Sequence, residues 1–329
     1  MTKRIFIPEK FEKDTIAPFI EALDQFRDEH EVCVDFSNLR YSFPTSMLVV
    51  GSKIRDWVQY RVQQGYVQSR EGIDPSRSCH SYLMHLGFFQ FIHMDEGKSV
   101  GEASGNRSYL PITRVSRPDF NPFDQSISDW YESIQVESRR LATVLSGNND
   151  SALTLYTYCI REILRNVFEH SRARECFICG QRWWNGKVEI VIIDEGVGIS
   201  SSLREAYDIT SDSMALELAI KPGISRTNSS SQTQNVFDNS GFGLYILSEV
   251  GARYGWFTIG SGAGRLVGWE SERNYDNFIF SGTFFGMQIN KKVGDFGLAL
   301  SEIIATGEKL SNITGISKKA SGASKLPEF

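Results

Sequence analysis

Residues 188–198 read VEIVIIDEGVG, and the rest of the chain is best read outward from them. The run Val188 to Ile193 reads as apolar on both faces, the pattern of a strand at the centre of a sheet. It ends in Asp194. Gly196 and Gly198 follow, and residues without a side chain let a ligand approach the backbone closely. A carboxylate buried at a strand end can accept a hydrogen bond from an exocyclic amine. Taken alone, the stretch is equally a plain Asp/Gly turn, so its neighbours decide.

Upstream, residues 151–172 fit a helix at about 100° per residue. Leu153, Tyr156, Ile160, Ile163, Leu164 and Val167 share one face, which belongs to a core. Arg161, Arg165 and Arg172 form a second face that suits solvent. Glu162, Asn166 and His170, spaced i, i+4, i+8, line up beside the apolar stripe. An amide oxygen there can ligate a hard cation such as Mg²⁺, and a carboxylate can orient or deprotonate a nucleophile. Downstream, SGFGL (240–244) opens a helix running to Tyr254. Its Gly241, Gly243 and Leu244 precede exposed N–H groups that can hold an anion. No GxxxxGK[ST] occurs, and the GFG does not follow directly on a strand, so neither the Walker nor the dinucleotide fingerprint applies. Last, SGTF (281–284) puts Thr283 at a bend in a late strand.

In this order, ExxxN on a helix, DxGxG after a strand, GxGL at a helix start and GT in a strand resemble the GHKL family of ATP-binding domains. The resemblance spans about 151–290. It implies the Bergerat fold, a two-layer α/β sandwich with ATP between helices and a mixed sheet. It further implies that Asn166 holds Mg²⁺, that Asp194 recognises adenine and that Thr283 joins it. Gly196 and Gly198 would make room for the nucleotide, and Gly241 and Gly243 would wrap its phosphates. His170 and Leu244 would complete the ATP site, and Glu162 takes the general-base position of hydrolysing members. Residues 199–240 correspond to the ATP lid, a stretch too poor in apolar residues to build its own core. Within it lie a short helix over Ala215–Ile220 and the candidate phosphate contacts Lys221, Arg226 and Thr227.

The ExxxNxxxH form looks more like that of the anti-sigma-factor serine kinases. The helix expected over 124–146 has no phospho-accepting His of the sensor-kinase kind. The N-terminal residues 1–95 alternate strand and helix: strand 3–8, helix 14–29, strand 32–36, helix 45–63, helix 81–87 and strand 88–92. VCVDFS (32–37) followed by SFPTSM (42–47) and a helix resembles a STAS-like domain, with Thr45 at the acceptor position of the family's phosphoswitch. Phe43, Pro44 and Ser46 depart from that family's Asp-Ser and Gly. Thr45 reads equally as a helix N-cap.

The expected organisation is therefore a STAS-like α/β domain over 1–95, a linker over 96–123 with a strand at 109–114, and a GHKL domain over 124–290. Its remaining strands fall at 176–184, 188–194, 256–260, 265–269 and 278–289. A partly disordered tail covers 291–329. The 329 residues suit two domains or one large one. A net charge of −5 argues against a general nucleic-acid binder, and no apolar run is long enough for a membrane helix. The opening MTKRIFIPEKF does not read as a signal peptide, so a cytoplasmic protein is expected. Five cysteines include a CxxC at Cys176 and Cys179, read as small apolar residues in a strand. The aromatic stripe of the 124–146 helix is read as a homodimer surface. The function expected is that of a Mg²⁺–ATP-binding regulator with a protein partner, either an ATPase or Ser/Thr kinase or a nucleotide-gated interaction module with little turnover.

Overall fold

The computed structural model describes residues 2–106, 108–119, 127–226, 240–313, 316 and 318–322. The N-terminal part runs β1 (Lys3–Phe6), β2 (Lys10–Phe11), α1 (Ile16–Gln25), β3 (Glu31–Asp35), β4 (Tyr41–Ser42), α2 (Pro44–Gln63) and β5 (Val67–Glu71). β1, β3 and β5 pair in parallel in that order, and β2 pairs with β4. Next come α3 (Ser78–Leu86) and α4 (Phe88–Phe91), divided by Gly87 in the left-handed region. The strand expected at 88–92 is thus a short helix. So brief an apolar run fits either period, and its Phe88 and Phe89 rings pack edge-on against Phe36 instead of entering a sheet.

The remainder runs β6 (Tyr109–Ser116), α5 (Ile127–Ser146), α6 (Asp150–His170), β7 (Glu175–Arg182), β8 (Val188–Asp194), α7 (Gly198–Leu203) and α8 (Asp212–Ala219). It continues through α9 (Gly243–Tyr254), β9 (Gly255–Trp269), β10 (Glu272–Ile289) and α10 (Phe296–Ile313). Five strands form one sheet in the order β6-β7-β8-β10-β9. β8 is central, as its composition requires. Every pairing in this sheet is antiparallel, where a mixed sheet was expected. The strand inside the expected linker is its edge strand β6. The two short strands expected at 256–269 are one, β9, which pairs with β10 along nearly its whole length. Half of the expected tail is α10, whose Phe296, Leu300 and Ile303 are buried in the main core.

The sheet is covered on both faces, so it is more than one half of a two-layer sandwich. On the front, α5, α6, α9 and α10 bury Trp130, Leu141, Ile160, Leu164, Ile246 and Phe296 in one core with Ile190, Ile192 and Phe285 of the sheet. The aromatic stripe of α5 belongs to this core. Trp130 and Ile134 are each 1% exposed, so the face expected to bind a second copy is already covered within the chain. On the back, α2 lies between the two sheets and is buried on all sides from Pro44 to Ile54, its Lys53 paired with Asp24 at 2.6 Å. Val191, Ile193 and Phe284 of the large sheet share this second core with Val34, Leu48 and Phe88. Cys176 joins the front core and Cys179 the back one. Three positions apart on a strand, they face opposite ways.

Glu189 breaks the apolar reading of β8. It is buried on the back face, where its carboxylate accepts from the Thr45 backbone N–H at 2.9 Å and the Gln288 amide at 3.0 Å. The N-cap residue of α2 is Phe43, which has no side-chain acceptor. A strand of one core therefore caps the helix of the other.

Candidate functional site

On the front of the sheet, α6, the end of β8, the start of α9 and the middle of β10 meet around one pocket. α6 begins where Asn149 caps it, its side chain accepting from Ala152 N at 2.9 Å. One face of α6 packs on the sheet, which leaves the Glu162–Asn166–His170 stripe at the pocket wall. β10 reaches the pocket through an irregularity. Its pairing with β9 shifts between Asn277 and Thr283, and Gly282 takes φ +97°, where a Cβ would overlap the Asp194 carbonyl. That approach is open only to glycine, and it sets Thr283 directly opposite Asp194 in the register.

Glu162, Asn166, His170, Asp194, Gly198, Gly241, Gly243, Leu244 and Thr283 all line this pocket. Gly196 lies just behind the wall, its N–H donating to Asp194 Oδ1 at 2.9 Å. A side chain at Gly196 would overlap the Ser171 carbonyl, so the turn closes only without one. Lys221 is elsewhere. It pairs with Glu217 at 2.8 Å on the outer surface, because α8 ends before it and turns away. Arg226 does reach the rim, donating to the Glu169 carbonyl at 2.8 Å. Thr227 and the lid segment 227–239 lie outside the described residues. Thr45 sits on the opposite face of the sheet, 1% exposed, where its side chain fills the space above Gly286. In this arrangement its hydroxyl is closed to any phosphate donor.

Burial pushes the Asp194 carboxyl up to about 7, against hydrogen bonds from Gly196 N–H and the Ser171 side chain that favour the ionised form. An incoming N–H group would add a further donor and favour the ionised form. Opposite, Asn166 Nδ2 is buried without a hydrogen-bond partner among the described residues. An unmet amide N–H₂ in a pocket wall is a donor that an acceptor oxygen of a ligand can complete. Among the described residues no group of three or more His, Cys, Asp and Glu side chains could cage a metal. A hard cation here would take one amide oxygen and draw its other ligands from the bound molecule and water, the habit of Mg²⁺.

Four buried charges run along α6 beside the pocket. Arg161 donates to Glu162 Oε1 through Nε at 3.2 Å and Nη2 at 2.9 Å. Arg165 lies 3.5 Å from the same oxygen and donates to Glu169 Oε1 at 2.9 Å. Burial lowers the Arg165 pKa, and the two carboxylates outweigh it, so the net direction is up. Glu169 is pushed up to about 7 by burial, with Arg165 opposing. Tyr158 and Tyr131 offer their ring faces to Arg161 and Arg165, at 4.9 and 5.0 Å from the centroids. The helical reading had placed these arginines in solvent. Ser171, Arg165 and Glu169 had no signal in the motif pattern. Ser171 acts partly through its backbone carbonyl, which accepts from Val197 N–H at 2.9 Å.

No family model, curated protein or solved structure matches the chain.

Proposed function

We propose that this chain is a regulatory protein that binds Mg²⁺–ATP in the pocket between α6, α9 and the strands β8 and β10. One observation carries the reading. Residues from four separate segments, chosen for their chemistry in the sequence, line a single cavity with Asp194 buried at one end and the Gly241–Gly243 turn at the other. At the Asp194 end, Thr283 stands opposite in the register, and the pair suits the amino edge of adenine. The Gly241–Gly243 turn opens α9, where backbone N–H groups and the helix dipole favour phosphate. Asn166 is the residue to hold Mg²⁺, which when bound would neutralise phosphate charge. Arg226 replaces Lys221 as the proposed cation at the rim. A protein partner, phosphorylated or merely gated, completes the proposal. With Thr45 buried, any phosphorylated group belongs elsewhere.

The test is a titration of ATP with Mg²⁺ against the protein and against Asp194→Asn. Saturable binding, weakened about thirtyfold or more in a variant with an unchanged circular dichroism spectrum, is expected for a lost charge-assisted hydrogen bond. A flat titration of the intact protein overturns the reading.

A further inference from the structure

In that reading the fate of a bound nucleotide depends on Glu162, and one oxygen of its carboxylate is held by two arginines. Oε1 faces three guanidinium nitrogens: Arg161 Nε and Nη2 at 3.2 and 2.9 Å, and Arg165 Nη1 at 3.5 Å. Oε2 faces the first turn of α9, across the space that a Cβ on Gly243 would enter at 3.0 Å. Glu162 is 3% exposed and Arg161 8%. The fork of Arg161 is braced from below by the Tyr158 ring, and a planar guanidinium held in this way loses little freedom in keeping its partner.

We propose that Arg161 is a positioning residue that holds Glu162 away from an attacking water, so that the pocket retains its nucleotide instead of cleaving it. The inference rests on the Mg²⁺–ATP reading and decides between its two outcomes. Hydrolysis would join a water oxygen to the γ-phosphorus and break the bond from that phosphorus to the β,γ-bridging oxygen, which leaves with ADP. The water's proton must pass to a base. Oε1 can receive it only when the guanidinium groups of Arg161 and Arg165 let go, and the two-bonded Arg161 fork is the stronger hold, fixing Oε2 toward the Gly243 turn. Turnover is therefore gated by the opening of this buried ion-pair cluster, led by Arg161, and the closed form is a binding module. A protein partner that draws Arg161 aside would start the reaction.

The experiment compares wild type, Arg161→Met, Arg161→Lys and the double variant Arg161→Met/Glu162→Gln. ATP affinity is measured calorimetrically and phosphate release in a single turnover. Arg161→Met should raise the release rate by about a hundredfold, the lower end of what a general base contributes, with affinity within about threefold of wild type. The double variant should lose the gain. Misfolding cannot produce a gain, so a rise reports on the pair itself. Should Arg161→Met not fold, Arg161→Lys, which keeps a charge but loses the fork, must raise the rate in the same direction. Variants that bind ATP yet release phosphate no faster than wild type overturn the inference and leave the binding reading standing. Failure of the wild type to bind ATP overturns both.

Discussion

Asp194 meets two opposing demands. Its position under Thr283 and beside Gly196 suits recognition of an N–H group, which wants the carboxylate charged. Its burial wants it neutral and pushes its pKa up to about 7. The folded state therefore keeps a proton that the unfolded chain gives up at ordinary carboxylate pH. Its contribution to stability is complete below about pH 4 and gone above about pH 7. Asp194→Asn, which cannot titrate, should be more stable than wild type at pH 8 by on the order of 2 kcal/mol, with the gap closing toward pH 4. Thermal melts of the two proteins at pH 4, 6 and 8 check this, and a gap independent of pH would count against it. Glu169, raised to about 7 by burial, adds a slope of the same sign to both proteins. Gain of stability with loss of ligand marks a residue kept for binding, not for folding.

At the scale of elements, the junction of β8 with α2 is the most informative. Glu189→Ala would leave the Thr45 N–H and the Gln288 amide buried without their acceptor, a loss of about 2 kcal/mol. Glu189→Gln keeps an acceptor for Thr45 and should cost clearly less. Urea unfolding of the two variants measures the difference, and equal losses would show that the cap contributes nothing. Periodicity could not reveal this residue, because one acid in a run of Val and Ile does not change the strand pattern. The same kind of ambiguity turned Phe88–Phe91 from an expected strand into a helix. Where spacing was long and regular, the reading served well. The i, i+4, i+8 stripe of α6 does face one cavity, and the Gly282–Thr283 bend does exist. Charges were harder to place. Lys221 and Arg226 are five residues apart in equally polar sequence, and only the end of α8 decides which one turns inward. The arginines of α6 looked solvent-facing because their partners Glu162 and Glu169 and the ring of Tyr158 lie on the same helix, while Tyr131, which supports Arg165, comes from α5.

For the molecule as a whole, the expected boundary near residue 95 does not separate two cores. Val34, Leu48 and Phe88 share theirs with Val191, Ile193 and Phe284. Arg265 of the long β9–β10 hairpin ties the far end as well, donating to the Lys13 carbonyl at 2.6 Å. One cooperative transition is therefore expected, with near-ultraviolet dichroism and tryptophan emission melting together. Two separated transitions would show that the halves fold alone. A shared core also has a history during synthesis. The N-terminal half leaves the ribosome first, with Met47, Leu48, Val49 and Val50 of α2 still uncovered, and the last strand that covers the helix ends at Ile289. At ordinary elongation rates the helix waits on the order of 10–40 s for its lid of sheet. A nascent chain of this protein should depend on chaperones, or on slow codons placed late, far more than its finished fold would suggest.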